Sequence, residues 1–135
     1  ADVDGDGDQD AFVCSGGAAV ANVLLLNNGT GFFTDAASGM GVASPSSQTQ
    51  HAVAADLNLD GGVDLLVSSS NHLTQAFMHQ LGAGGAGVFV DQASSRGLAA
   101  TVDGGRSAAV VTTLSKRAGF HHSSSSTVSS AMLTA

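Results

Sequence analysis

Short apolar runs separated by polar, glycine-rich stretches organise this chain. Ala11-Phe-Val-Cys14, Val23-Leu-Leu-Leu26, Gly31-Phe-Phe-Thr-Asp35, His51-Ala-Val-Ala-Ala55, Leu65-Leu-Val67, Ala76-Phe-Met78 and Gly87-Val-Phe-Val-Asp91 each have the length of a strand. Runs of this kind, bounded by Gly, Asn, Asp and Ser, predict short β-strands joined by turns. Asn28-Gly29 between two such runs is a strong hairpin signal.

The runs recur. Asp2-Val-Asp-Gly-Asp-Gly-Asp-Gln-Asp10 aligns with Asp56-Leu-Asn-Leu-Asp-Gly-Gly-Val-Asp64 at an offset of 54 residues. Each acidic loop leads into an apolar run, then a second run, then a Gly-rich turn and a third run ending in Asp35 or Asp91. The last pair is offset by 56, as a two-residue turn insertion requires, and Gly41-Val-Ala43 then recurs as Gly97-Leu-Ala99. His51–Ala55 supplies a further strand ahead of the second loop, so one unit reads strand, Asp loop, strand, hairpin, strand, Gly turn, strand. Self-similarity at this period with four short strands per unit predicts an all-β chain built of β-propeller blades, about two of them here.

The expected division is a partial blade at 1–50 opening on its acidic loop, a complete blade at 51–106, the first strand of a degenerate third blade at 107–115, and a Ser-rich tail at 116–135. Ser107-Ala-Ala-Val-Val111 would be that third-blade strand, but Thr112-Thr-Leu-Ser-Lys-Arg117 stands where an acidic loop is due. A tail of this composition is expected to be disordered. Repeat units need neighbours to bury their faces, so the segment reads as part of a longer propeller, marginal by itself.

Charge sharpens the picture. Only 11% of the residues are charged, the formal net charge is −7, and all 11 acids are Asp. Eight of those Asp lie in the two loops, so the acidity is local. Four Lys and Arg in all are too few for a phosphate-binding face, which argues against a nucleic-acid partner. No apolar run approaches the ~18 residues of a membrane-crossing helix. The single Cys14 cannot form an internal disulfide and reads as a small core residue.

Asp at alternate positions of a tight loop brings carboxylates to one centre, and Ca²⁺ takes six to eight such oxygens. The expected ligands are Asp2, Asp4, Asp6 and Asp10 in the first loop, with Asp8 at a position served by a backbone carbonyl. In the second they are Asp56, Asn58, Asp60 and Asp64, with the Gly62 carbonyl. Hard oxygen donors favour Ca²⁺ over Zn²⁺ or copper, and Mg²⁺ demands stricter octahedral geometry. An EF-hand needs an acidic ligand at its twelfth position. That position falls on Val13 in one loop and Val67 in the other, and neither loop has helical periodicity on its flanks. Solvated turn-forming Asp is the bland alternative, and two copies at matched spacing weigh against it.

The D-x-D-x-D-G-x-x-D pattern followed by an apolar strand resembles the FG-GAP or VCBS repeat of integrin α-subunit propellers. The G-x-F-x-D and G-[VL]-A segments resemble extracellular repeat proteins of the ASPIC/UnbV type. This resemblance covers about Ala1–Val111 and implies a seven-bladed propeller, with the metal loop between the first and second strands of a blade and the ligands at the positions just named. Asn58 departs from the acidic pattern in a way the family tolerates. The implied function is a Ca²⁺-stabilised module with two sites, acting in adhesion or recognition of a protein or glycan ligand in an extracellular, secreted or periplasmic setting. The alternative is a non-catalytic propeller portion of a larger secreted enzyme.

Other motifs carry less. Gly82-Ala-Gly-Gly-Ala-Gly87 with Asp103 fits a dinucleotide fingerprint, but its repeat alignment places a strand where that motif needs a helix. Asn28-Gly-Thr30 is a possible glycosylation site that also reads as a turn. His51, His72 and His79 lack ligand spacing and read as structural. His121-His122 lies in the tail, and no catalytic constellation is defensible, since no G-x-S-x-G elbow exists.

Overall fold

Glycine and Asx-rich turns break the apolar runs before any can lengthen, and the computed structural model is accordingly built of short strands; it describes residues 1–80 and 87–99. Strands β1 (Ala11–Val13), β2 (Val23–Asn27) and β3 (Phe33–Asp35) form one antiparallel sheet in that order. Strands β4 (Thr49–Ala55), β5 (Asp64–Ser69), β6 (Gln75–Gln80) and β7 (Val88–Asp91) form a second, again in chain order. No helix occurs among the described residues. Within the described residues each apolar run anticipated from the pattern falls in a strand, and each sheet is a meander of neighbours. The chain is thus all-β, with the sheet topology of propeller blades.

The two sheets repeat each other in register. Leu25 of β2 opposes both Ala11 of β1 and Asp35 of β3. In the second sheet Phe77 of β6 likewise opposes both Leu65 of β5 and Asp91 of β7. The turn after the third strand is also repeated. Val42 N–H donates to the Ala37 carbonyl at 2.9 Å, and Leu98 N–H to the Ala93 carbonyl at 2.8 Å. Asp35 Oδ1 accepts from Ala37 N–H and Asp91 Oδ1 from Ala93 N–H, both at 3.0 Å. The same oxygens also accept from Leu24 and Ala76 on the adjacent strand. The Asp that ends each G-x-F-x-D segment therefore turns the chain and ties it back to the sheet.

The main core lies between the sheets. Leu24 from the first sheet packs with Leu65, Val67, Phe77 and Phe89 from the second, and Val3, Ala37, Met40 and Val42 fill in from the loops. Burying side chains of this size is worth about 1.5–3 kcal/mol each. The segment after β3 runs between the sheets: the Met40 carbonyl accepts from Phe89 N–H at 2.9 Å. Gly41 has φ +81°, and a Cβ there would sit 2.9 Å from the Phe89 carbonyl oxygen. Only glycine fits both the conformation and the approach.

A polar staple joins the sheets at the other end. Asn22 is fully buried; its N–H donates to the Ala43 carbonyl and its Nδ2 to the Val42 carbonyl at 3.1 Å. Its Oδ1 accepts from Ser15 N–H and from the Thr49 hydroxyl at the start of β4. The Thr49 carbonyl accepts from Gly16 N–H at 2.9 Å. Cys14, expected in the core, is only half-buried beside this staple; burial pushes its thiol up, offset in part by a hydrogen bond with Thr49.

The expected third-blade strand, the Ser-rich tail, Asp103, His121-His122 and all but the last glycine of the Gly82–Gly87 motif lie outside the described residues.

Because Asn22 satisfies Ser15 beside β1, Thr49 of β4 and the Val42 and Ala43 carbonyls between the sheets, Asn22→Ala is expected to cost about 2–4 kcal/mol. Urea denaturation would measure it, and Asn22→Ala combined with Thr49→Val should cost less than the sum of the two single changes. Additive losses would show that the two side chains do not act as a unit.

Candidate metal-binding loops

Each acidic loop is an insertion before a strand: residues 2–10 precede β1, and residues 56–63 join β4 to β5. Both are organised from below by their last Asp. Asp10 Oδ2 accepts from Val3 N–H and Oδ1 from Asn27 N–H, at 2.8 and 2.9 Å. Asp64 repeats this on Leu57 N–H and His79 N–H, at 2.8 Å each. Each of these carboxylates thus ties the start of its loop to the last part of the strand that follows in the meander, β2 for Asp10 and β6 for Asp64. Asp10 is buried and Asp64 wholly so. Val3 is pinned into the main core, and Leu57 packs on the smaller cluster of Ala76, Met78 and Ala93.

The first Asp of each loop curls the chain. Asp2 accepts from Gly5 and Gly7 N–H at 2.8 and 3.0 Å, and Asp56 from Asp60 and Gly61 N–H at 3.2 and 2.9 Å. Gly7 at φ +98° and Gly61 at φ +94° take the left-handed backbone this curl requires. At the third corresponding pair the repeat breaks a local rule. Gly5 has φ +81°, whereas the second loop holds Leu59 at φ +63° with its side chain in solvent. A left-handed L-residue costs roughly 1–2 kcal/mol.

The loops differ in what they gather. Carboxylate oxygens of Asp2, Asp4 and Asp10 all lie within 4.8 Å of one another. Among the described residues this is the only such group of three or more acidic, imidazole or thiol ligands. Asp6 and Asp8 fall outside it. Asp6 Oδ1 accepts from Asp8 N–H at 2.9 Å, and the Asp8 carboxylate leans over Gly29, where a Cβ would meet it at 2.6 Å. Burial pushes the Asp4 carboxyl above its ordinary range, and the charges of Asp6, Asp10 and Asp2 push the same way. The Asp6 N–H, donating at 3.2 Å, opposes them.

In the second loop Asp56, Asp60 and Asp64 form no such trio. Asn58 Nδ2 donates to Asp60 Oδ2 at 2.6 Å, and Gly62 N–H to Asp60 Oδ1 at 2.8 Å. The Gly62 hydrogen bond, then Asn58, hold the Asp60 carboxyl below its ordinary value, with smaller help from the charges of His79 and Arg96. His79 was expected to be merely structural. It is 4% exposed, stacks on Phe89, and neither ring nitrogen has a partner among the described residues. The clue in the sequence is its place in the repeat, for it stands where the first unit has Asn27.

Asn28 sits exposed on the β2–β3 turn, as its hairpin reading requires. Its Oδ1 accepts from Thr30 N–H at 3.0 Å and from the Thr30 hydroxyl at 2.7 Å.

Two antiparallel meanders, each introduced by an Asp loop and closed by the same Asp-capped turn, define a tandem-repeat protein of the β-propeller kind. Residues 2–67 match the FG-GAP-like repeat, and this stretch belongs to that family. The match spans both acidic loops and ends in β5. No curated protein matches the chain. No helix among the described residues is long and apolar enough to cross a membrane.

Leu59→Gly is expected to stabilise the protein by about 0.5–1 kcal/mol, the left-handed strain relieved less the added backbone entropy. A urea midpoint that falls or stays put would contradict it. Under chelating conditions Asp64→Ala should cost about 2–5 kcal/mol by stranding the buried His79 N–H and the partly buried Leu57 N–H, while Asp56→Ala, on the exposed curl, should cost well under that.

Proposed function

We propose that the two loops each hold one Ca²⁺, and that the cations serve to fix the blades of a recognition propeller. The observation that carries this is the convergence of Asp2, Asp4 and Asp10 in a loop whose backbone is already curled around them. Three carboxylates within 4.8 Å repel one another, and the Asp4 carboxyl is pushed up chiefly by burial and in smaller part by the charges of Asp6, Asp10 and Asp2. A hard divalent cation turns the repulsion into attraction, and the donor set is all oxygen, which suits Ca²⁺.

In this reading Asp2, Asp4 and Asp10 are the first site's core, with Asp6 able to swing in and Asp8 contributing through its carbonyl. Asp56, Asn58, Asp60, Asp64 and the Gly62 carbonyl form the second. Two bound ions would bring the formal charge from −7 to −3. Because Asp10 and Asp64 also anchor the β2 and β6 ends, a cation there would cross-link loop, strand and hairpin. Extracellular modules of this class bind Ca²⁺ at about 10⁻⁴–10⁻³ M, which suits a protein working outside the cell or in a periplasmic or secretory space. Recognition would fall to the loops and faces of the propeller, with a protein or glycan as the partner class.

Calorimetry on chelator-treated protein is expected to show two Ca²⁺ bound. Asp4→Ala should remove one and Asp60→Ala should weaken the other. At free Ca²⁺ ten times the dissociation constant, each site should add about 1.4 kcal/mol to stability, seen as a rise in melting temperature that Mg²⁺ reproduces poorly. A melt indifferent to Ca²⁺, with no binding heat, would overturn the proposal.

A further inference from the structure

Every residue from 28 to 35, on the hairpin that joins β2 to β3, is exposed. Asn28 N–H donates to the Phe32 carbonyl at 3.1 Å and closes a three-residue loop of Gly29, Thr30 and Gly31. Gly29 at φ +76° and Gly31 at φ +85° supply the left-handed backbone that so short a loop needs. Two asparagine side chains order it from inside. Asn27 Oδ1 accepts from Gly29 and Gly31 N–H at 3.2 and 3.3 Å. Asn28 Oδ1 accepts from Thr30 N–H at 3.0 Å, from the Thr30 hydroxyl at 2.7 Å and from Phe32 N–H at 3.4 Å. Its amide nitrogen, Nδ2, makes no hydrogen bond among the described residues.

Asn28-Gly-Thr30 is the one Asn-x-Ser/Thr sequence in the chain. The other asparagines, Asn22, Asn27, Asn58 and Asn71, are followed two positions on by Leu24, Gly29, Asp60 and Leu73. The residues between β6 and β7 contain no Asn at all. Asn27 pairs with Phe33 in the register of β2 and β3, so Asn28 and Phe32 are the next pair and project from one face of the hairpin. Such a pair sets its Cβ atoms about 5 Å apart. Phe32 is 74% exposed, the most open large apolar side chain among the described residues. A free amide nitrogen and an uncovered aromatic ring thus stand side by side at the hairpin's tip.

We infer that Asn28 is the acceptor for an N-linked glycan, and that Phe32 is the surface its first sugar covers. In the transfer, Nδ2 bonds to C1 of an oligosaccharide carried on a lipid pyrophosphate, the donor of the secretory machinery. The C1–O bond breaks, the pyrophosphate leaves with its electron pair, and the nitrogen gives up one proton. The linked amide keeps its carbonyl, so the three hydrogen bonds that Asn28 Oδ1 accepts survive and the turn keeps its shape. The apolar C–H face of the sugar removes part of the Phe32 ring from water, which is favourable. The inference rests on the secretory setting of the proposed function and not on its calcium.

The test sends the full chain through the secretory pathway of a eukaryotic host cell and weighs it before and after peptide N-glycosidase. The unaltered protein and Thr30→Ser are expected to carry a glycan that the enzyme removes, leaving an aspartate at the attachment point that peptide mass spectrometry locates. Asn28→Gln and Thr30→Val should lose the glycan entirely. Protein bare at residue 28 in both the secreted and the cell-retained pools would overturn the inference, and reading the retained pool decides the point even if the chain folds poorly. The Phe32 ring resonances should shift between glycosylated and enzyme-treated protein, and the rise in melting temperature that the glycan confers should vanish in Phe32→Ser. Ring resonances unmoved by the glycan would overturn the placement of the sugar. Asn28→Gln should bind Ca²⁺ as the unaltered protein does. A glycan at Asn28 on a protein that binds no Ca²⁺ would sustain this site and sink the Ca²⁺ reading; Ca²⁺ binding by a protein bare at Asn28 would do the reverse.

Discussion

A buried carboxylate that accepts two backbone N–H groups is the joint on which each half of this structure turns. Asp10 and Asp64 do the same job 54 residues apart, each holding the second residue of its loop and the last part of the neighbouring strand. A charge removed from water is tolerated only when fully hydrogen-bonded, and here both oxygens are engaged. The loop above is therefore not a free excursion. Its ends are fixed by the sheet, and its rim of Asp2, Asp4, Asp6 and Asp8, or Asp56, Asn58 and Asp60, is held only by hydrogen bonds within the loop or faces solvent. The last Asp of each motif ties the loop to the sheet, and in the first loop it also stands with Asp2 and Asp4, a double duty that spacing alone does not reveal.

The fold was legible because each strand is short and each turn chemically marked. The apolar runs named within the described residues fall in strands, and the offset between repeats is 54 at β1 and β5, 52 at β2 and β6, and 56 at β3 and β7, so both connections differ in length between the sheets. What the pattern could not convey is how the sheets meet. Asn22 interrupts an apolar stretch and looks like a loop residue, yet it is among the most buried side chains and binds one sheet to the other. Burial of a polar residue depends on partners distant in the chain, here Val42 and Thr49, and no local period encodes them. Asp35 and Asp91 were visible as the ends of a recurring segment, but their work in capping the next turn emerges only from the hydrogen bonds to Ala37 and Ala93.

The candidate site was legible as a motif and only partly as geometry. Asp2, Asp4 and Asp10 come together, while Asp6 caps the Asp8 N–H and the Asp8 carboxylate leans on the hairpin at Gly29. Alternate residues of a curled loop do not all share one face, because glycines with positive φ rotate the following side chain away. His79 escaped notice for a different reason. Nothing near it in sequence marks it as buried, and only the alignment of β6 with β2 places it beside Asp64 at the base of the second loop.

Set side by side, the two loops depart from each other in a consistent direction. The first has five acids, two flexible glycines and a converging trio under mutual repulsion. The second has three acids, an Asn that donates to its neighbour, and a leucine held in a left-handed backbone. Its Asp60 is stabilised as an anion by Gly62 and Asn58 without a metal. The physical consequence is that the first loop stores unfavourable charge that a bound cation would relieve, whereas the second is held by its own hydrogen bonds and stores backbone strain instead. Ligand charge is what chiefly sets affinity in sites of this type. Under the proposed Ca²⁺ reading, the first loop is therefore the one whose conformation would track the Ca²⁺ concentration, while the second keeps its shape over the buried ring of His79.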